Sequence, residues 1–234
     1  MTSTRYPSGL RDGMDPETPP CLANGKSPTA LSGNEFTSEV SRLLAFLRRM
    51  ASQRPNVLGH GHRTASYVLR LGESVGLSSS DLTHLHYAAL LHDIGQLTLP
   101  AEILNKDGPL TAEEYELFQC HPRAGAELLQ PISFLRVPAL WIEHHHERWD
   151  GSGYPSGLRG KFIPLGSRIL AVADTLDAVT ANRSCGWSRS WESAMRLLGI
   201  VAGSQLDPEL VEVFVGLAPE KFAKVGMTGV PATS

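Results

Sequence analysis

The chain has 234 residues, of which 41% are hydrophobic and 19% are charged, and this composition fits one globular domain with short appendages. The formal net charge of −3 predicts no non-specific binding to nucleic acid and no attraction to an anionic membrane surface. No stretch approaches the roughly 18 consecutive apolar residues of a membrane span, and three cysteines without metal-site spacing favour reduced thiols and a cytoplasmic location.

The first segment, residues 1–34, is rich in Pro, Ser, Thr and Gly and poor in large apolar side chains. Such a segment cannot bury enough apolar surface to offset the entropy lost on ordering, so we expect a flexible tail. We expect one folded domain over residues 35–220 and a second tail over residues 221–234. No run of residues alternates between apolar and polar as a half-buried strand does, so the fold class is predicted to be all-α.

Helical spacing of apolar residues begins near residue 36. The apolar stripe of this first helix consists of Val40, Leu43, Leu44 and Leu47. This stripe could pair between two subunits, so a homodimer can be expected. A second helix is predicted from Val57 to Val75, and a third, capped by Asp81, is predicted to end with Gly95 as its C-terminal glycine.

The second half of the chain continues the helical pattern. The segment Thr111–Glu114 is a capping-box sequence and predicts a helix that runs to about Leu129. Another helix is expected over 137–147, and six glycines and prolines in residues 148–165 predict a loop. The last helices are expected at about 166–181, 189–202 and 207–216. The whole is predicted to be a bundle of about seven to eight helices with a metal centre in its interior.

The metal centre is predicted from the distribution of histidine and aspartate. All nine histidines lie between His60 and His146, and His92 directly precedes Asp93. An adjacent histidine and carboxylate can bridge two metal ions, and this donor mixture suits Fe, Mn or Zn better than Mg or Ca. The candidate ligands, each in a different predicted helix or at a helix end, are His60, His92, Asp93, His121, His145, His146 and Asp174.

Several segments follow the order typical of one family. They are His60–Arg63, His92–Gly95, Ile103–Thr111, His121–Gly125, His145–Pro155 and Arg168–Arg183. They span roughly residues 55–216, and the run His145–Pro155 is the most specific of them. On these residues the chain resembles an HD-GYP domain, a subclass of the HD metal-dependent phosphohydrolases that hydrolyses cyclic di-GMP.

The resemblance implies a dinuclear centre in which the seven candidate residues are the ligands and Asp93 bridges two metal ions, Fe or Mn. Some family members hold a third metal through a glutamate four residues before the first histidine; Asn56 stands there in this chain. The implied reaction is attack of a metal-bridging hydroxide on cyclic di-GMP or a related cyclic dinucleotide. The products would be the linear dinucleotide and, after a second cleavage, GMP.

The resemblance is weaker on the substrate side. The residues that it assigns to substrate are Gln96, Lys106, Gly153, Tyr154, Pro155 and Arg183, with Asp93 and Gln96 in catalytic positions. Gln96 stands where the family has a phosphate-contacting lysine, and the loss of one such donor can cost on the order of 10²–10³ in rate. The tract after Arg183 also lacks a second cation. The Gly153–Pro155 loop could line the substrate pocket or dock a diguanylate cyclase.

Three hypotheses follow. The first is a phosphodiesterase with altered substrate handling or a reduced rate, because both departures fall on substrate contacts while the metal ligands are complete. The second is a catalytically weak, metal-containing sensor of cyclic dinucleotides or a partner-docking module. The third is an HD phosphohydrolase of another phosphate ester, against which the long run His145–Pro155 argues.

Overall fold

The structure is a computed structural model that describes residues 35–53, 55–180 and 191–217. These residues form helices and no named strand, which confirms the all-α fold. The α-helices are α1 (Glu35–Gln53), α2 (Pro55–Ser74), α3 (Ser79–Leu91), α4 (Ala101–Leu104), α5 (Ala112–Phe118), α6 (His121–Leu129), α7 (Arg136–Glu143), α8 (Leu165–Thr180), α9 (Trp191–Val201) and α10 (Pro208–Val215). The two predicted tails and Arg183 lie outside the described residues, and the domain bounds 35–220 stay a prediction.

The described residues contain more α-helices than the seven to eight expected, because one expected helix is two and because the short α4 was not expected. The capping box is confirmed, since the Thr111 hydroxyl accepts from the Glu114 amide and the Glu114 carboxylate accepts from the Thr111 amide. The helix that begins there ends at Phe118 and does not run on to Leu129. The physical reason is Pro122, which has no amide hydrogen to donate to the carbonyl of Phe118 four residues earlier.

Both ends of α3 differ from the prediction. Ser78, and not Asp81, is the N-cap of α3, because its hydroxyl accepts from the amide of Asp81. Gly95 does not end the helix but lies in a short 3₁₀ turn, Ile94–Thr98. A Cβ atom on Gly95 would lie 1.9 Å from the carbonyl oxygen of His121. Glycine therefore lets this turn pack directly on the first turn of α6, which brings Asp93 beside His121.

The core lies between α2, α3, α7 and α8, and its largest fully buried side chains include Tyr67, Leu71 and Ile142. The apolar stripe of α1 contributes to this same core, since Leu43 and Leu47 pack against it, whereas Leu44 is 45% exposed. Two of the four stripe residues predicted to pair between subunits thus pack within the domain. The homodimer stays a prediction.

Of the helices that the structure describes, none combines the length and the apolar character needed to cross a membrane.

Candidate metal centre

Three of the predicted ligands are histidines that lie one to three residues after the last residue of a helix. In each, ring atom Nδ1 lies within hydrogen-bonding distance of the backbone carbonyl three residues earlier. These pairs are His92 with Ala89 at 2.8 Å, His121 with Phe118 at 2.7 Å and His145 with Ile142 at 2.6 Å. Carbonyls in the last turn of a helix have no amide partner in the next turn, so they are free to accept from these rings. With the proton on Nδ1, each ring presents the Nε2 lone pair.

The first group of ligand atoms joins α2, α3 and α8. Atoms of His60, His92 and Asp93 all lie within 4.8 Å of one another. The Nε2 atom of His60 is 3.0 Å from Nε2 of His92 and 3.0 Å from Oδ1 of Asp174. We call His60, His92 and Asp174 the carboxylate-side group.

The second group contains only histidines. Ligand atoms of His121, His145 and His146 also lie within 4.8 Å of one another. The Nε2 atoms of His121 and His145 are buried and have no hydrogen-bond partner among the described residues. A buried polar atom without a partner costs about 1–3 kcal/mol, and a bound cation would satisfy both lone pairs. We call these three residues the three-histidine group, and its donor set fits a divalent metal ion.

Asp93 lies between the two groups. Its Oδ2 atom is 3.6 Å from Nε2 of His92, and its Oδ1 atom is 3.6 Å from Nε2 of His121. Each carboxylate oxygen therefore faces a different group, which is the arrangement that a bridging carboxylate needs. The structure brings all seven predicted ligands together in this one cluster.

The charges of the two groups differ. Burial lowers the pKa of His146 to about 4, aided by the nearby His121, and burial together with His146 holds the pKa of His145 well below its usual range. Neutral imidazole is the form that binds a metal. Burial also opposes protonation of His60, but its hydrogen bonds with Asp174 and Asp177 raise its pKa to about 10. Burial would raise the pKa of Asp174, yet the hydrogen bond from His60 and the neighbouring histidines hold it below its ordinary value.

Two residues next to the cluster were not predicted as functional from the sequence. Asp177, which is 1% exposed, pairs with Nδ1 of His60 at 2.7 Å and accepts two hydrogen bonds from the guanidinium of Arg63. The signal in the sequence is that both lie in segments typical of the family, Arg63 three residues after His60 and Asp177 three residues after Asp174.

The Gly153–Pro155 loop lies against the three-histidine group. The ring of Tyr154 is 5.0 Å from that of His146, measured between centroids, and burial raises the pKa of Tyr154, so the phenol stays protonated. A Cβ atom on Gly153 would lie 2.3 Å from the amide nitrogen of Arg148, so the close approach requires glycine. The loop is anchored by the buried carboxylate of Glu147, a residue for which no role was predicted from the sequence.

The anchor consists of two hydrogen bonds. The Oε1 atom of Glu147 accepts from the amide of Ser156 at 2.7 Å, and its Oε2 atom accepts from the amide of Leu158 at 3.0 Å. Because Glu147 follows His146 directly, it links the loop to the end of the metal-ligand segment.

The other residues predicted to contact substrate are Gln96, Lys106 and Arg183. Gln96 is in the 3₁₀ turn that follows Asp93 and is only 7% exposed. Lys106 is in the loop between α4 and α5, where its ammonium group pairs with the carboxylate of Glu114. Arg183 lies outside the described residues.

Comparison with known families supplies the context for this cluster. The family model for the HD domain matches residues 41–210 of the chain. The chain belongs to the HD domain family. HD domains bind divalent metal ions, in agreement with the His/Asp cluster in the interior of this one.

Curated relatives and solved structures resemble this HD domain over most of its length. It is 37% identical over 184 residues to the cyclic di-GMP phosphodiesterase of Thermotoga maritima, an alignment that covers 78% of this chain and 49% of that protein. It is 37% identical over 158 residues to the 3'3'-cGAMP-specific phosphodiesterase 2 of Vibrio cholerae, covering 67% of this chain and 30% of that protein. The chain thus spans about half the length, or less, of the curated relatives it matches.

Among solved structures, a cyclic GMP-AMP-specific phosphodiesterase of Vibrio cholerae superposes with a TM-score of 0.61 at 24% identity, over 82% of this chain and 51% of that one. This likeness shows the fold. The predicted resemblance to the HD phosphohydrolases is confirmed.

Proposed function

We propose that this HD domain holds two divalent metal ions and hydrolyses a phosphodiester bond of cyclic di-GMP or a related cyclic dinucleotide. The observation that carries the proposal is the position of Asp93, whose two oxygens face two separate groups of ligand atoms. The relatives from Thermotoga maritima and Vibrio cholerae, named for cyclic di-GMP and 3'3'-cGAMP, support this substrate class.

The ligands divide between the two metal positions. His60, His92 and Asp174 would hold one ion; His121, His145 and His146 would hold the other; Asp93 would bind both. Five imidazoles with two carboxylates favour Fe or Mn over Mg and Ca. When bound, the two cations would lower the pKa of a shared water and offset negative charge on the phosphodiester.

The chain's own residues would orient the dinucleotide beside this centre. The ring of Tyr154, which lies next to His146, offers a face on which a base can stack. The Gln96 amide would donate a hydrogen bond to a phosphate oxygen, and Arg183 would supply a cation. Lys106 would supply another cation only after it leaves Glu114. Addition of water across one bond between phosphorus and O3′ gives the linear dinucleotide, and a second cleavage would give GMP.

A second candidate is a metal-containing sensor that binds cyclic dinucleotide with little turnover. It is favoured by Gln96, which is buried and carries no charge to offset that of the phosphate. The proposal for this HD domain also includes three further points. A diguanylate cyclase would dock on the Gly153–Pro155 loop, the domain would form a homodimer, and it would act in the cytoplasm.

The deciding experiment follows the products chromatographically after anaerobic incubation of Fe- or Mn-loaded protein with cyclic di-GMP and, separately, 3'3'-cGAMP. The Asp93→Ala variant is the control. We expect linear dinucleotide from the wild type and none from the variant. Wild-type protein that carries two metal ions and binds either nucleotide, yet releases no product, would overturn the phosphodiesterase and leave the sensor.

A further inference from the structure

His60 differs from three other histidines of the metal centre in how its ring is held. His92, His121 and His145 each use a backbone carbonyl at a helix end. His60 lies inside α2, where the carbonyls already accept from amides of the same helix. Its Nδ1 atom pairs instead with a side chain, the carboxylate of Asp177, at 2.7 Å.

Asp177 is itself held by a two-pronged contact. The Nε atom of Arg63 donates to its Oδ1 atom at 2.7 Å, and the Nη2 atom of Arg63 donates to its Oδ2 atom at 2.8 Å. The Oδ2 atom therefore serves both Arg63 and His60. A planar guanidinium matches a carboxylate in this way and an ammonium group does not. The carboxylate, which is itself 1% exposed, cannot rotate away from His60 without losing its ion pair with Arg63.

We propose that Asp177 and Arg63 are positioning residues for the carboxylate-side metal position, where they hold Nε2 of His60 beside Asp174, the residue with which it would share an ion. The inference rests on the dinuclear centre in the proposed function. It adds that the carboxylate-side position depends, through His60, on an ion pair between side chains of α2 and α8, whereas His121 and His145 of the other position are held by backbone carbonyls. Substitution of the ion pair should therefore weaken one ion and spare the other.

The test is a titration of metal-free protein with Mn²⁺ alone, by calorimetry and equilibrium dialysis, in the wild type and in Asp177→Asn. In the variant, an amide NH₂ group would point at the donors of His60 or Arg63, so one of these contacts must break. We expect one of the two Mn²⁺ ions to bind about 10- to 100-fold more weakly, the effect usual for outer partners of metal ligands, and the other to bind unchanged. Equal weakening of both ions, or of neither, overturns the proposal.

A matched control comes from a second arginine–aspartate pair in the domain whose carboxylate is also buried. Asp207, also 1% exposed, pairs with Arg168 at 2.5 Å and caps α10. Asp207→Asn removes the same charge from a similar environment and keeps an oxygen for the helix cap. We expect it to lower the melting temperature and to leave both Mn²⁺ affinities unchanged. If it weakens Mn²⁺ binding as Asp177→Asn does, the effect of Asp177 is general destabilisation and the proposal fails.

Arg63 keeps the proposal testable if Asp177→Asn does not fold, because its side chain is 36% exposed. Arg63→Gln should weaken the same single Mn²⁺ ion, and Arg63→Lys, which keeps the charge without the fork, should restore part of the affinity. An unchanged titration in Arg63→Gln overturns the role of Arg63. Nucleotide hydrolysis is measured separately, so a wild type that binds two Mn²⁺ ions without cleaving a cyclic dinucleotide refutes the phosphodiesterase and not the positioning role.

Discussion

The two groups of ligands, which form the two halves of the metal cluster, differ in charge and in the contacts that hold their histidines. The three-histidine group is neutral, and two of its members, His121 and His145, are buried and held by carbonyls at helix ends. The carboxylate-side group carries charge, and His60 lies among Asp174, Asp177 and, through Asp177, Arg63. Support from the backbone persists as long as the helices end where they do, whereas support from side chains can be removed by one substitution. The two metal positions should therefore fail in different ways.

The largest effect is expected from removing the residue that the halves share. Asp93→Asn keeps the shape of the side chain but leaves one neutral oxygen to face two groups. We expect loss of both metal ions and a fall in hydrolysis of at least about 10³-fold, because several kcal/mol of charge stabilisation disappear. Elemental analysis and product chromatography measure the two effects. Asp107→Asn, in an exposed loop, is the control, and an Asp93→Asn variant that keeps both ions contradicts the bridging role.

The contact between the 3₁₀ turn and α6 can be broken without substituting any metal ligand. Gly95→Ala would place a methyl group 1.9 Å from the carbonyl oxygen of His121, so the 3₁₀ turn must move away from α6 and take Asp93 with it. We expect a loss of about 3 kcal/mol in the free energy of unfolding, the upper end of the usual cost of overpacking, measured by urea denaturation.

Gly199→Ala provides the matched control for Gly95→Ala. Gly199 lies within α9, and no atom of the residues that the structure describes lies within 4 Å of a Cβ atom added there. Alanine should therefore stabilise the helix by up to about 1 kcal/mol. Equal effects of the two alanines would contradict the tight packing at Gly95.

Removal of the metal ions should lower the stability of the wild type. The wild type in Mn²⁺ at 100 times its dissociation constant should gain about 2.7 kcal/mol per site over protein treated with a chelator. The gain arises because Mn²⁺ would bind the folded protein and not the unfolded chain, in which ligand atoms such as Nε2 of His121 and His145 are no longer held together. Thermal melts with and without Mn²⁺ measure it. In Asp93→Asn the two melting curves should coincide, and a persistent shift would place Mn²⁺ elsewhere on the protein.

The smallest expected effect concerns the loop that leans on the three-histidine group. Glu147→Gln replaces an acceptor oxygen by an amide NH₂ group that faces a backbone donor of Ser156 or Leu158. We expect KM for the dinucleotide to rise about tenfold, the equivalent of one weakened hydrogen bond to a charged group, with both metal ions retained. Hydrogen exchange over residues 148–158 should quicken. Glu209→Gln, which removes an exposed partner of Lys161, should change neither quantity.

Local patterns in the sequence were sufficient for the fold class and for the identity of the candidate ligands. The absence of alternating patterns predicted an all-α domain, and Thr111 with Glu114 marked the start of α5. Pro122 also indicates a break before α6, since it has no amide hydrogen to donate to the carbonyl of Phe118. The helical spacing of apolar residues continues across this break, however, and predicted one helix. The end of α7 at Glu143 rather than near residue 147 likewise left His145 in a turn.

The sequence by itself determined the helical class, the family and the set of histidines and aspartates, because these depend on residue type and short spacing. Only the tertiary structure decided how the set divides into two groups and what supports each. The contact of His60 with Asp177 joins residues 117 apart in the chain, and the fit of Gly95 against His121 depends on how a turn meets α6. Such contacts arise from the packing of whole helices, and no local spacing encodes them.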